Sequence, residues 1–145
     1  MPDCSFEHTI RFSEFRTPEG AVVALPLVTV TLVQPTGTRY DLSLVFDTGA
    51  SFTTLRKDLY PLLGVRSWDS GAPIQSDTAG GKVTGYRYDG ATLELLGRSM
   101  TCPVILMDLP AHPFYSGLLG RAQMFDGFGF GFWESTRELY VTLTP

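Results

Sequence analysis

The chain has 145 residues, a length that fits one domain with its own hydrophobic core and leaves little room for two. Hydrophobic residues make up 43% of the chain and charged residues 18%, which is typical of a globular protein. The formal net charge is −4 and Lys and Arg do not cluster, so nucleic-acid binding is disfavoured because phosphate contacts need concentrated positive charge.

The N-terminal sequence and the cysteine count predict a cytoplasmic protein. The first residues have neither the basic region nor the apolar run of a signal peptide. No apolar run approaches the roughly 20 residues that a membrane-spanning helix needs. Two cysteines, Cys4 and Cys102, make no disulfide framework and fit a reducing compartment. Their spacing to His8 and His112 matches no metal site, so we expect no metal and no organic cofactor.

Strand signals dominate the first third of the chain. Apolar and polar residues alternate from Phe6 to Phe12, which predicts a half-buried strand. Two apolar segments then flank a turn that contains proline and glycine, at 21–33 (interrupted by Pro26) and at 40–46. The sequence therefore predicts a hairpin whose second arm leads directly into Asp47.

The rest of the chain is predicted as further short strands with one or two short helices. Helices are expected at 55–63 and 121–125. Hairpins are expected at 74–88, around a tip at 77–81, and at 91–107, around Gly97-Arg98, with a tight turn at Asp89-Gly90 between them. Strands are expected at 117–120, 128–132 and 139–143. These elements predict an all-β single domain.

The stretch 44–51, Leu-Val-Phe-Asp-Thr-Gly-Ala-Ser, carries the most specific chemistry. The apolar residues before Asp47 place its carboxyl group at the end of a buried strand. Burial penalises a charged carboxylate unless hydrogen bonds or a shared proton compensate. Gly49 permits a sharp turn, and Thr48 and Ser51 add hydroxyl groups beside the acid. On these residues alone, an ordinary Asp-containing turn remains an alternative.

Three motifs in sequence order resemble the retropepsin-like family of aspartic proteases. They are Asp-Thr-Gly-Ala-Ser at 47–51, Thr-Ala-Gly-Gly at 78–81 and Leu-Leu-Gly-Arg at 118–121. The resemblance covers roughly residues 21–143. It implies a closed β fold that acts as a homodimer on a peptide or protein substrate. Residues 21–145 would form the protease domain, and residues 1–20 an extension that adds an interface strand or is removed by self-cleavage.

The resemblance implies a role for each residue of the first motif. Asp47 would be the catalytic acid and base. Thr48 would hydrogen-bond across the dimer axis, and Gly49 would present its backbone to water and substrate. Ala50 and Ser51 would complete the active-site loop.

The other two motifs are implied to cover and support that loop. The tip of a mobile flap would consist of Thr78, Ala79, Gly80 and Gly81, whose glycines favour motion and backbone contacts with substrate. Leu118 and Leu119 would pack beneath the active-site loop. Gly120 would permit a close crossing of the backbone, and Arg121 would follow it as the Arg of the family's Gly-Arg pair.

Homodimerisation is expected because an aspartic protease needs two carboxylates that share one proton. The chain has one Asp-Thr-Gly, and Asp77, Asp89 and Asp126 lack its strand-end setting. A two-fold axis supplies a second Asp47 from an identical chain. In the family, terminal strands interleave between the two subunits, and 139–143 is the corresponding segment here.

Two positions depart from the family pattern. Viral members have an Asp where this chain has Ser51, and that Asp pairs with the Arg of the Gly-Arg dipeptide. Arg121 therefore lacks the expected partner. Ala50 lacks the hydroxyl that pepsin-like enzymes place beside the acid, which predicts activity in mildly rather than strongly acidic conditions.

Three alternatives remain open at this stage. A degenerate protease fold would dimerise and bind peptides without cleaving them. A glycosidase would need a second acid in the same chain, about 5–9.5 Å from the first. A Cys102–His112 pair would be a nucleophile and its base, without an evident third group to orient it.

Overall fold

A computed structural model describes residues 5–145, except for the side chain of Thr78, and shows twelve strands and two short 310 helices in this part of the chain. The strands are β1 (His8–Arg11), β2 (Ser13–Arg16), β3 (Val22–Leu25), β4 (Leu27–Val33), β5 (Arg39–Phe46), β6 (Thr53–Arg56), β7 (Ala72–Thr78), β8 (Gly81–Leu95), β9 (Arg98–Met107), β10 (Gly117–Leu119), β11 (Phe128–Trp133) and β12 (Glu138–Leu143). The helices span Lys57–Leu63 and Met124–Gly127. Within these residues, no helix has the length and apolar character needed to cross a membrane.

The main sheet has seven strands and is closed on itself. Its strand order is β4-β5-β10-β6-β9-β8-β7, and β4 also pairs with β8. Strands β1, β12 and β11 form a second sheet in that order, which we call the terminal sheet, and β2 pairs with β3 as a separate hairpin. The predicted all-β, single-domain fold with short helices is confirmed.

The core forms where inward-facing residues alternate along the strands of the closed sheet. Every second residue of β4 and β5 is buried, as a two-residue period predicts for strands with one face toward the core. The inward positions of these strands and of β8 and β9 are Val28, Val30, Leu32, Leu42, Leu44, Phe46, Leu93, Leu95, Val104 and Leu106. The predicted hairpin forms over residues 27–46 as β4 and β5 and ends at Asp47, whereas residues 22–25 form β3, which pairs with β2 instead.

The predicted helix at 55–63 is replaced at its start by a strand. Thr53 and Leu55 are buried, their neighbours are less so, and β6 is paired on both sides, with β9 and β10. Tertiary pairing therefore overrides the local preference for helix. The helical part begins at Lys57 and is a 310 helix with Pro61 inside it, where proline opposes a continuous α-helix.

The predicted tight turn at Asp89-Gly90 is a β-bulge instead. Strand β8 continues through this dipeptide, and its register with β9 shifts between Tyr88 and Ala91. Gly90 has a φ of 81°, which glycine adopts without strain, so the dipeptide bends the strand and does not end it. The predicted turn near Gly97 is present between β8 and β9.

The terminal strands pair within the chain. Strand β12 lies between β1 and β11, so both of its edges are occupied. Segment 139–143 is predicted to be exchanged between subunits, but it has no free edge with which to pair with a second chain. Residues 8–11 of the predicted extension form β1 beside β12, while residues 1–4, including Cys4, lie outside the described part of the chain.

The central position of Leu93 predicts a large stability cost for its truncation. Its side chain is fully buried, on a strand that pairs with both β4 and β9. Leu93→Ala should lower the free energy of unfolding by about 2–5 kcal/mol through lost burial and a residual cavity. The control Val22→Ala, at a side chain that is 50% exposed, should change it by less than about 1 kcal/mol. Equal losses in denaturant titrations would contradict this assignment of the core.

Candidate active site

Asp47 is held at the end of β5 by the strand that lies next to it. Strand β10 lies between β5 and β6, parallel to β5 and antiparallel to β6. The backbone N–H of Asp47 donates a hydrogen bond of 3.2 Å to the carbonyl of Leu119 on β10. The chain therefore leaves the sheet at Asp47 from a fixed position.

The loop after Asp47 folds back on the acid. The backbone N–H of Gly49 donates to Asp47 Oδ1 at 2.9 Å, and the N–H of Ala50 donates to the Asp47 carbonyl at 3.2 Å. Asp47 is half-buried, while Thr48, Gly49 and Ser51 are exposed. A hydrogen bond to one carboxylate oxygen fixes the orientation of the group.

The segment after β10 holds this loop through backbone hydrogen bonds. The backbone N–H groups of Arg121 and Ala122 donate to the carbonyls of Ala50 and Ser51, at 3.0 and 2.8 Å. The N–H of Gly120 donates to the hydroxyl of Thr53 at 3.1 Å, in a fully buried position. A Cβ at position 120 would collide with the carbonyl of Phe52, so only glycine permits this crossing.

A cleft of about 470 Å³ opens beside Asp47. Its apolar wall consists of Phe52, Ile74, Ile105, Met107, Leu109 and Leu118, and its polar lining includes Thr54, Gln75, Ser76 and Asp77. Gly49, Ala50 and Ser51 complete the lining around the acid. Such a surface, mostly apolar with a few polar groups and one acid, can hold a peptide segment next to a group that handles protons.

The structure places the predicted flap residues beside this cleft but outside its lining. Thr78 and Gly81 form the last pair of the β7–β8 hairpin, and Ala79 and Gly80 are exposed at its tip. The arm of β7, residues 74–77, lines the cleft in their place.

The family comparison agrees with this geometry. The sequence profile described as aspartyl protease matches residues 28–122, which run from β4 to the segment that follows β10. The chain belongs to the aspartyl protease family, of the retropepsin-like type. A search of curated proteins gave no match.

Two features of this family member were not foreseen in the sequence. Thr53 is fully buried and its hydroxyl accepts the bond from Gly120 beside the active-site loop, but its neighbours in the sequence carry no local signal of this contact. Asp77 lines the cleft that contains Asp47. The sequence predicts Asp77 at the tip of the hairpin, next to the glycines, whereas Asp77 belongs to the arm of β7, which lies along the cleft.

Arg121 contributes to the site through its backbone. Its side chain is exposed, and among residues 5–145 its guanidinium has no hydrogen bond or ion pair. Ser51, which occupies the place of the family's acidic partner, lies with Arg121 along a separate shallow depression. The arginine therefore does not lock the loop within one protomer.

The Cys102–His112 alternative is opposed by the state of the thiol. Cys102 is fully buried on β9, and burial raises the pKa of its thiol to about 11. A nucleophilic cysteine needs a lowered pKa and access to substrate. His112 instead stacks on Tyr115, with ring centroids 4.0 Å apart. Among the described residues, no three His, Cys, Asp or Glu side chains cluster as metal ligands.

The buried hydroxyl of Thr53 predicts a specific stability effect. Thr53→Val keeps the shape of the side chain but leaves the N–H of Gly120 without its acceptor, which should cost about 1–3 kcal/mol in the free energy of unfolding. The matched control is Thr29→Val, at an exposed position on β4, and it should be nearly neutral. Indistinguishable unfolding curves for the two variants would show that the bond to Gly120 is unimportant.

The raised pKa of Cys102 predicts an inert thiol. In a Cys4→Ser variant, a thiol-specific reagent at pH 8 should leave the folded protein unmodified and should react with one thiol after denaturation. The sign follows from the shift, because a group that deprotonates near pH 11 carries almost no reactive thiolate at pH 8. Rapid labelling of the folded variant would contradict the burial of this residue.

Proposed function

We propose that this protein is an aspartic endopeptidase that acts as a homodimer. The observation that carries the proposal is the setting of Asp47. It ends a buried strand, its carboxylate accepts a bond from Gly49, and it faces a cleft large enough for peptide side chains. Membership of the aspartyl protease family supports the same reaction class.

The dimer is required by the number of suitable acids. Each chain provides one carboxylate in the Asp-Thr-Gly setting, and two are needed to share a proton. Among the described residues, Asp77 is the other acid that lines the cleft, but it is exposed on the arm of a hairpin and its carboxylate accepts no backbone bond like that from Gly49 to Asp47. An isologous dimer brings a second Asp47, with its own loop, to the two-fold axis.

The two Asp47 carboxyl groups divide the proton transfers between them. The ionised one removes a proton from water as the water oxygen attacks the carbonyl carbon of the peptide. The protonated one donates its proton to the carbonyl oxygen. When the tetrahedral intermediate collapses, one of its hydroxyl groups returns a proton to the ionised carboxylate, the C–N bond breaks, and the leaving amine takes the proton of the other carboxyl group, so the dyad again holds one proton. This chemistry requires neither a metal nor an organic cofactor.

The cleft and the β7–β8 hairpin would hold the substrate. An extended peptide places side chains alternately on its two sides, and the apolar wall formed by Phe52, Ile105 and Leu118 suits large apolar side chains. The hairpin tip, residues 78–81, would act as a flap that closes over the peptide and excludes water. Thr48, which is exposed, would hydrogen-bond across the dimer axis.

We extend the proposal to the organisation of the chain. Residues 21–145 would carry the protease domain, and residues 1–20 would be an extension whose strand β1 supports the terminal sheet. The low cysteine content supports a cytoplasmic location.

Replacement of the acid tests the proposal. Asp47→Asn should abolish peptide cleavage at mildly acidic and neutral pH, while the far-ultraviolet circular dichroism and the solution mass stay unchanged. Asp89→Asn, on the bulge of β8 and outside the lining of the cleft, is the matched control and should cleave at the wild-type rate. Full activity of Asp47→Asn would exclude this mechanism. An inactive wild-type protein that still binds peptides would indicate the non-catalytic binding module.

Mixing of the two proteins tests whether the acids are shared. An excess of Asp47→Asn chains should suppress wild-type activity, because mixed dimers have one carboxylate. If each protomer works alone, added mutant chains should leave the rate unchanged.

A further inference from the structure

Strand β11 has an unpaired edge that runs its whole length. It pairs with β12 on one side, and among residues 5–145 no strand pairs with the other side. Edge strands present a row of backbone donors and acceptors that can bind another strand. The backbone groups on this edge of β11 are therefore available to bind a further strand.

The hydrogen-bond pattern shows which backbone groups face that edge. In an antiparallel pair, bonded and non-bonded residue pairs alternate. The N–H of Thr144 donates to the carbonyl of Gly127, so the bonded pairs fall on Gly127, Gly129 and Gly131 of this segment. The N–H and C=O groups of Phe130 and Phe132 consequently point away from β12. No other hydrogen bond uses them in the described part of the chain.

The sequence of β11 lacks the residues that prevent another strand from pairing with an edge. Its residues are Phe-Gly-Phe-Gly-Phe-Trp, without the charges or prolines that usually protect an edge. Phe132 and Trp133 are 49% and 54% exposed, which is high for large apolar side chains. An edge of this composition is expected to be buried in the working assembly.

The same strand touches the residue next to the candidate catalytic acid. The rings of Phe130 and Phe46 are 4.6 Å apart, and Phe46 directly precedes Asp47. Phe125, in the helix that leads into β11, stacks on Phe46 at 5.1 Å. A partner held at the β11 edge would therefore be coupled through one layer of aromatic rings to the strand that carries Asp47.

The other strands of the terminal sheet are less suited to pairing with a second copy. Both edges of β12 are occupied. Strand β1 also has an unpaired edge in the described structure, but it has four residues, with Arg11 at its end and His8 beside Glu7. Its charges are of the kind that oppose edge-to-edge pairing.

We propose that two copies of this chain dimerise by antiparallel pairing of their β11 strands across the two-fold axis, which joins the two terminal sheets into one. The inference rests on the proposed homodimeric protease and specifies how its second Asp47 is delivered. It replaces the exchange of terminal strands expected from the family, since β12 is enclosed. Identical strands pair in this way without any further complementary surface, because an antiparallel pair is itself two-fold symmetric.

Proline substitutions on the two outer edges of the terminal sheet test the proposal with a matched control. Phe132→Pro removes an N–H that faces the β11 edge and leaves the bonds to β12 intact. It should convert the dimer to a folded monomer of 16.0 kDa and abolish cleavage. Thr9→Pro removes the corresponding N–H from the free edge of β1 and should keep both the dimer and the activity. Phe132→Ala, which keeps the N–H, should weaken the dimer less than Phe132→Pro.

Cross-linking gives a second readout that does not depend on activity. In a Cys4→Ser background, Phe132→Cys should form cross-linked dimers with a bis-maleimide that spans about 15 Å, because residue 132 lies near the middle of the paired strands, two to four residues of about 3.3 Å from its own copy along the strand and one strand spacing across. Thr9→Cys should not, since the two β1 strands would be separated by five spacings of about 4.7–4.9 Å.

The outcomes separate this inference from the proposed function. A wild-type protein that is monomeric at all concentrations, or active as a monomer, would overturn both. A wild-type dimer whose activity depends on Asp47, but which survives Phe132→Pro or cross-links through Thr9→Cys, would overturn the β11 pairing alone. Dimer loss in Phe132→Pro with an unchanged circular dichroism spectrum would support it.

Discussion

The insertion of β10 between β5 and β6 is the constraint on which the rest of the site depends. Its parallel pairing with β5 directs the carbonyl of Leu119 to the N–H of Asp47, and the next residue, Gly120, crosses the backbone at Phe52 too closely for any side chain. The following N–H groups bind the carbonyls of Ala50 and Ser51. A short loop with one acid is thus held at both ends by a second chain segment, so the carboxylate keeps its position without a ligand.

In our proposal, one protomer supplies half of the active site. The acid is oriented and faces a cleft, and the proposed sharing of a proton between two carboxylates needs a second acid, which residues 5–145 do not provide in an equivalent setting. The terminal sheet lies close to the same loop through the contact of Phe130 with Phe46. The family resemblance implied that the segment of β12 pairs with the partner subunit, but β12 is paired on both edges within the chain and β11 has the unpaired edge. In our proposals, the pairing of two β11 strands both covers the unprotected edge and brings the second Asp47 that the site needs.

The sequence was sufficient for the fold class, for the hairpin that ends at Asp47 and for the family, because a two-residue period and a specific motif are local signals. It failed at β6 and at Asp89-Gly90. At β6, pairing with strands far along the chain overrides the local preference for helix. At Asp89-Gly90, the same residue types favour a tight turn and a β-bulge, so the sequence cannot distinguish the two. The lining of the cleft by residues 74–77 and the buried bond of Thr53 depend on three-dimensional packing and leave no local signal.

The central claim is that two identical chains form one active site, and the most direct measurement is specific activity as a function of protein concentration, with sedimentation velocity on the same samples. The account predicts that cleavage per chain falls on dilution in proportion to the fraction of dimer, and that the 16.0 kDa species is inactive. Constant activity per chain in samples that contain only the 16.0 kDa species would contradict it.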